Sequence, residues 1–354
     1  MSKVTIIGAG AMGSALVVPL ITNGHEVRLW GTELDNKIIR DLKNGKDHPK
    51  HKYPLPKAVK PFSEEELPAA MEDTDMVIMG ITSDALGMIF ERVVPYLKPG
   101  MIIGSVTKGF EYATDGRVVL LPDILKEKLP AELKDSISFV FIGGPCKAIE
   151  VVWESPTSVC YSSANLEAAK KLQATLMTPV YRVEANTDVI GTEICAAMKN
   201  AYAVGLGMAE GFKKRKGFLH NNTKSALFTF AVAEMGILSR ALGGSLFSVY
   251  GLPGVGDLEV TGEAGRNRTL GEVIGEGLTA SQAVAKMKAE GITVEGYPAI
   301  RFGYLMAKQL EQEQKLSLKE LPLLAGLYAI LYEDAPAYET VTILLQQCTG
   351  AYKQ

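Results

Sequence analysis

Apolar residues in the first half of the chain fall into short runs rich in Val and Ile, separated by longer stretches where apolar and polar positions recur at helical spacing. The short runs predict strands at Val4–Ile7, Val27–Trp30, Met76–Ile81, Met101–Ser105, Ile137–Ile142, Thr157–Tyr161 and Val180–Val183. Between them, Ser83–Leu97 opens on a serine and closes before Pro99-Gly100, while Asn165–Met177 stops before Thr178-Pro179; these are helix start and stop signals. Alternating strand and helix predicts a parallel sheet with helices on both faces. Asp47–Pro61, which carries Pro49, Pro54, Pro56 and Pro61, reads as a loop between two such units.

Beyond about Asn186 the strand signals stop. Thr187–Phe212 is apolar nearly all the way round a helix and contains Gly191, Gly205 and Gly207, so it predicts one long, buried, closely packed helix. Helices at Asn222–Leu242, Ala280–Glu290, Ala299–Gln312 and Tyr338–Gln347 follow. The expected division is therefore residues 1–185 as an α/β domain with a doubly wound sheet and residues 186–354 as an all-helical C-terminal domain.

Composition narrows the possible partners. Hydrophobic residues make up 47% and charged residues 22% of the 354 positions, which excludes a disordered chain. The 37 Lys and Arg against 40 Asp and Glu leave a net charge of −3, so no overall cationic field exists to hold nucleic acid or an anionic bilayer. An anionic ligand must be met by a local site. Cys146, Cys160, Cys195 and Cys348 form no C-x-x-C pair and have no histidine at ligand spacing, so neither a disulfide framework nor a metal site is expected. Asp47-His48-Pro49-Lys50-His51 reads as a solvated loop, and Lys213-Lys214-Arg215-Lys216 as a solvated turn. Val4–Thr22 is uncharged, but Gly8, Gly10, Gly13 and Pro19 interrupt it, which argues against a signal peptide or an integral membrane segment. The expectation is a cytoplasmic protein without a nucleic-acid partner.

The candidate chemistry begins at Gly8-Ala9-Gly10-Ala11-Met12-Gly13, a G-x-G-x-x-G spacing placed directly after a strand and before a helical stretch. In a Rossmann-type fold, Gly8 allows the tight turn, Gly10 lets the backbone approach a pyrophosphate, and Gly13 permits close packing of helix on strand. The second strand ends in Trp30-Gly31-Thr32-Glu33. With no cation at Gly31 or Thr32 to meet a 2′-phosphate, and Glu33 free to point away, the choice between NAD and NADP stays open. Lys199 lies amid small and apolar residues of the long helix, where an ammonium is costly unless it is paired or used. Hydride addition to a ketone leaves an alkoxide, and a buried lysine of lowered proton affinity can protonate it. Ser105-Val106-Thr107-Lys108-Gly109 ends a strand, at the edge where open α/β sheets bind ligands. Gly251–Leu258, then Thr261 and Gly265-Arg266-Asn267-Arg268, gather a carboxylate, a hydroxyl, an amide and a guanidinium on glycine-rich backbone, a set suited to a small phosphorylated substrate.

Taken in order, the glycine loop, Trp30, Lys108-Gly109, Gly144-Pro145, Lys199-Asn200, Gly256-Asp257-Leu258 and Gly265–Arg268 resemble the NAD(P)-dependent glycerol-3-phosphate dehydrogenases across essentially the whole chain. The resemblance implies that Lys199 is the proton donor and acceptor, with Lys108 and Asp257 beside it. Thr261, Gly265, Arg266, Asn267, Lys108 and the backbone near Gly144 would hold the glycerol phosphate. The glycine loop with Ala11 and Met12, then Trp30, Thr32, Lys108, Ala148, Arg266 and Glu295, would line the cofactor path. It also implies a homodimer. Cys146 departs from the Ser or Thr usual in the family, and Thr32 from the His or Arg of many bacterial members. A related dehydrogenase acting on a 3-hydroxy acid or 6-phosphogluconate is the alternative, and it would need another use for Asp257 and the Arg266-Asn267 pair.

Overall fold

Side chains that alternate across an extended backbone need cover on both faces when a strand is apolar throughout. The central strands here receive it, whereas the edge strand Tyr181–Asn186 alternates buried Tyr181 and Val183 with exposed Arg182 and Glu184. The computed structural model describes residues 1–351, with side chains through Gln346. The strands in chain order are β1 Lys3–Ile7, β2 Glu26–Trp30, β3 Lys60–Phe62, β4 Met76–Met79, β5 Ile102–Ser105, β6 Phe110–Tyr112, β7 Val118–Leu120, β8 Ser138–Gly143, β9 Thr157–Ser162 and β10 Tyr181–Asn186. Eight of them form one sheet in the order β10-β9-β8-β5-β4-β1-β2-β3. Ile6, Leu29, Ile78 and Val140 pack into one apolar layer, and their chain neighbours Ile7, Trp30, Met79 and Phe141 into the other, as expected of a sheet covered on both faces.

The chain divides into two compact units: Met1–Lys108 with Leu121–Thr192, and Gly109–Leu120 with the chain from Glu193 onward. The first is the α/β unit. Its sheet is parallel except that β8 and β9 pair antiparallel, which corrects the expectation of a fully parallel sheet. The link between them holds only the five-residue helix Ala148–Val152. That helix is roughly 8 Å long, too short to carry the chain back along a strand of about 20 Å. β3 was expected to be loop; it is a three-residue strand at the sheet edge, where Pro61 withholds no ladder hydrogen bond that the sheet needs.

The second unit is helical apart from the β6–β7 hairpin, for which the hydrophobic pattern holds no signal. Phe110 and Tyr112 lie against Phe302 on the Gly296–Gln312 helix, and the Gln309 side chain bonds both the N–H and the carbonyl of Val118. The long helix spans Val189–Lys216 and is buried almost continuously from Gly191 to Phe212. Lys213–Lys216 are solvated as expected, but they form the exposed last turn of this helix and not a separate turn after it; cations there complement the C-terminal end of the helix dipole. Helices at Asn221–Ala241, Ala280–Ala289, Gly296–Gln312 and Ala337–Ala351 stand close to their expected bounds. Pro322–Tyr332, apolar without a polar stripe, carried no helical period, yet it is a helix. The buried Glu234 carboxylate accepts from the N–H groups of Leu323 and Leu324 at its start and from the Tyr202 hydroxyl. Cys146, Cys160 and Cys195 form no disulfide with one another; Cys348 lies outside the residues whose side chains are described.

A seam of glycines sets the spacing of this unit. Gly207 and Gly211 of the long helix face Gly271 and Gly275 of the helix Arg266–Glu276 so closely that a Cβ on Gly271 would overlap the Val204 carbonyl, and one on Gly207 the Arg268 carbonyl. Gly271→Ala should therefore destabilise the protein by about 1–3 kcal/mol, the usual range for overpacking. Gly87→Ala is the counterpart: its Cβ would meet Ile124 at an ordinary 3.5 Å within the helix Ser83–Val93, and it should stabilise by roughly 0.5–1 kcal/mol. Denaturant unfolding midpoints that moved in the same direction for both variants would contradict the seam.

Candidate functional site

Within the α/β unit, the segments singled out by sequence follow the C-terminal ends of mutually parallel strands. Gly8–Gly13 follows β1, Gly31-Thr32 follows β2, Val106–Lys108 follows β5 and Gly144–Cys146 follows β8. β1 has β2 on one side and β4 on the other, so the glycine loop stands at the topological switch point, where such sheets bind ligands.

The three loop glycines have separable reasons. Gly8 has φ +103°, and a Cβ there would stand 2.8 Å from the Gly80 carbonyl oxygen. A Cβ on Gly13 would overlap the Gly8 carbonyl. Gly10 is different, since the nearest atom to a Cβ on it is 3.8 Å away. Packing demands the first two, whereas Gly10 leaves its outer side open to the close approach of a ligand. It also caps the helix Ala11–Ala15 with no side-chain hydrogen bond, the arrangement that leaves first-turn N–H groups for a phosphate. The residues present thus fit a dinucleotide pyrophosphate.

Around this loop, Ala11 and Met12 are half-buried, and Met12 Sδ lies 3.9 Å from Cys146 Sγ. Trp30 is fully buried; its carbonyl accepts from Gly8 N–H, its indole donates to the Glu64 carbonyl, and the Arg92 guanidinium covers its ring, so its side chain serves the core. Thr32 is buried in a capping box with Asp35. Asp35 Oδ2 accepts from the N–H and hydroxyl of Thr32 and from Ala9 N–H, which ties the end of β2 to the glycine loop. Sequence reading passed over Asp35 although Thr32-x-x-Asp35 is a capping spacing. Lys108 is half-buried after β5, Gly144 adopts φ +113° after β8, and Ala148 opens the short helix that follows.

The histidine segment requires a correction. His48 has no exposed surface and His51 is buried, so this part of the loop is not solvated. Their rings lie 4.5 Å apart, and their Nε2 atoms reach the carbonyls of Ala9 at 3.1 Å and Ala11 at 3.0 Å. Nothing local in the sequence could reveal this, because the contacts span about forty positions.

In the helical unit, Lys199 (7% exposed) pairs through Nζ with Oδ1 of Asp257 (1% exposed). The Gly-rich run before Asp257, read as part of a site for a small phosphorylated substrate, is a π-turn over Leu252–Gly256 that enters the helix Asp257–Glu263. Its tight backbone, with Gly254 against the Val249 carbonyl, aims the Asp257 side chain inward. Beside Lys199, Asn200 accepts from Asn267 Nδ2 at 2.9 Å and donates to Glu295 at 3.3 Å; Glu295 in turn receives Arg266 at 3.2 Å. Asn267 also accepts from Gly296 N–H. Arg266, Asn267 and Arg268 form the first turn of a helix and not a loop, with Gly265 at φ +127° as a cap that makes no side-chain bond. An exposed Arg266 at the start of a helix whose cap makes no side-chain bond suits a phosphate dianion. The structure thus gathers Lys199, Asp257, Arg266, Asn267 and Glu295 in one unit, together with Asn200, whose amide joins Asn267 to Glu295.

Residues 3–169 match the N-terminal model of NAD-dependent glycerol-3-phosphate dehydrogenase, and residues 188–342 match its C-terminal model. The NADP(+)-dependent glycerol-3-phosphate dehydrogenase of Archaeoglobus fulgidus is 36% identical over 339 residues, 96% of this chain and 97% of that protein. The glycerol-3-phosphate dehydrogenase [NAD(P)+] of Desulfitobacterium hafniense is 33% identical over 98% of this chain and 92% of its own length. Among solved structures, the glycerol-3-phosphate dehydrogenase of Coxiella burnetii superposes with a TM-score of 0.81 at 29% identity, covering 98% of this chain and 99% of that one. With the pyrophosphate loop, the buried Lys199–Asp257 pair and the full-length likeness together, this chain belongs to the NAD(P)-dependent glycerol-3-phosphate dehydrogenase family.

Proposed function

We propose that this protein reversibly reduces dihydroxyacetone phosphate to sn-glycerol 3-phosphate with NADH or NADPH, in the cytoplasm and as a homodimer, supplying glycerol phosphate for phospholipid synthesis. The observation that carries the reading is the buried Lys199–Asp257 pair next to the Asn200–Asn267–Glu295–Arg266 network. The nicotinamide cofactor, held at Gly8–Gly13, supplies the hydride. Lys199 delivers a proton to the alkoxide oxygen left on the substrate, and recovers it in the reverse direction. Asp257 keeps the ammonium charged and aimed in surroundings that would otherwise disfavour it. Thr261, Gly265, Arg266 and Asn267 take the phosphate, with Lys108 and the Gly144 backbone as further substrate contacts. Ala11, Met12, Thr32, Ala148 and Glu295 belong to the cofactor path. No described helix is long and apolar enough to cross a membrane.

The direct test is whether absorbance at the nicotinamide band falls when the purified protein meets dihydroxyacetone phosphate with NADH and, separately, with NADPH. Absence of oxidation with both would reject the reaction. The homodimer requires a sedimenting species of twice the chain mass.

Lys199→Met should lower turnover by about 10²–10⁴, the usual worth of a general acid, while dinucleotide binding survives. Near-normal turnover in that variant would remove Lys199 from the chemistry.

For the phosphate, Arg266→Ala should raise the Michaelis constant for dihydroxyacetone phosphate about tenfold. A charge-assisted contact contributes roughly 1.5–3 kcal/mol, here toward the lower end because Arg266 is exposed and already paired with Glu295. Reduction of unphosphorylated dihydroxyacetone should hardly change. Equal losses with both ketones would place Arg266 on the cofactor and not on the phosphate.

A further inference from the structure

Two buried histidines press against the backbone of the pyrophosphate loop, and neither has a part in hydride or proton transfer. Carbonyl oxygens only accept hydrogen bonds, so the contacts of His48 with Ala9 and of His51 with Ala11 place the proton of each ring on Nε2. The other nitrogen of His48 is then an acceptor, and it receives the Lys50 N–H at 3.3 Å. Among the described residues no peptide bond is cis. In a trans peptide the C=O and the following N–H point in opposite directions. Clamping the Ala9 and Ala11 carbonyls toward the histidines therefore turns Gly10 N–H and Met12 N–H away from them, and packing leaves Gly10 itself open to the approach of a ligand.

We propose that His48 and His51 are positioning residues for the dinucleotide, neutral donors that hold alternate carbonyls of the glycine loop so that the intervening N–H groups face the pyrophosphate. The inference rests on the reading that Gly8–Gly13 holds a dinucleotide, but not on the identity of the ketone. His48 must be neutral to do this, because a protonated ring would direct a second donor at Lys50 N–H, and His51 beside it is neutral as well. Burial holds them so: desolvation lowers His48 below its ordinary 6.5 and, with the neighbouring His48 adding to the effect, takes His51 to about 4. The charged groups that face the pair are Lys50, which reinforces the lowering for both, and Asp35, which opposes it at His48. Because the folded values are depressed, both rings stay neutral down through pH 6.5 and become protonated only below it, His51 near pH 4.

Binding of NADH and NADPH is measured by titration calorimetry, using for the variants whichever the wild type binds more tightly. At pH 7.5, His48→Leu and His51→Leu should each raise Kd about five- to tenfold, the value of one hydrogen bond. His48→Gln and His51→Gln, whose amides can still donate to the same carbonyls, should stay within about twofold. In turnover, the loss should fall on the Michaelis constant for the cofactor, with kcat at saturating cofactor nearly retained. Wild-type Kd should rise as the pH is lowered from 6.5 toward 4.5, and the double glutamine variant should lack that rise. Leucine variants that stay folded by circular dichroism yet bind within twofold of wild type would overturn the proposal, as would glutamine variants that bind no better than leucine. If the leucine variants do not fold, the pH profiles decide: the same rise in wild type and double glutamine variant overturns it, and its loss in the latter supports it. Dinucleotide binding that follows this pattern without ketone reduction would sink the enzymatic reading and leave this one standing, whereas a wild type that binds no dinucleotide would end both.

Discussion

A lysine buried to 7% exposure has to be given a counter-charge, and much of the helical unit can be understood as the means of supplying one. Leaving such an ammonium unpaired would cost several kcal/mol, so Asp257 must reach it from another helix with its own carboxylate almost wholly buried. A regular α-helical approach does not achieve this. The chain uses a π-turn at Leu252–Gly256 and places Asp257 as the first residue of the helix that follows, with glycine where Val249 comes too close for any side chain. The same long helix is drawn by its glycine seam against Arg266–Glu276, which puts Asn267 within reach of Asn200, one residue past the lysine. Close packing and proton chemistry are thus set by the same pair of helices.

The α/β unit solves a complementary problem, that of presenting backbone N–H groups to an anion without a charged side chain in the loop itself. Hydrogen bonds from behind do the orienting. Asp35 takes the Ala9 N–H, Ser14 and His48 donate to the Ala9 carbonyl, and His51 donates to that of Ala11. A loop rich in glycine has many conformations to lose, and four side chains that fix two consecutive peptide groups and the next carbonyl but one reduce that loss before any ligand arrives. Such preorganisation explains why residues as far along the chain as His48 and His51 are as deeply buried as the strands.

Individual elements show where sequence reasoning succeeds and where it stops. The seven strands read from Val and Ile runs are all present, most of them because they are buried on two faces, and the edge strand β10 because Tyr181 and Val183 keep one face buried while Arg182 and Glu184 face outward. The three short strands were missed for the opposite reason: β3, β6 and β7 each have three residues and draw their stability from partners, such as Gln309 for the hairpin. The reversal of β9 was invisible because an apolar run has no direction. Pro322–Tyr332 failed the test of periodicity because its surroundings in the fold, the helices Asn221–Ala241, Gly296–Gln312 and Ala337–Ala351, cover it on several sides.

For the site, the sequence alone determined the parts whose chemistry is local: the G-x-G-x-x-G turn, a lysine too apolar in its surroundings to be an ordinary surface charge, and an Arg-Asn pair beside glycine. These can be read because spacing along one loop or one helix is itself geometry. The placing of Asp257 beside Lys199 came with the family resemblance, whereas only the tertiary structure decided that Trp30 serves the core, that Thr32 is committed to Asp35, and that two histidines in a proline-rich loop are buried donors to the pyrophosphate turn. Each of these depends on a contact between residues whose separation in sequence carries no information about their separation in space, or on burial, which belongs to the packed chain and not to any one residue.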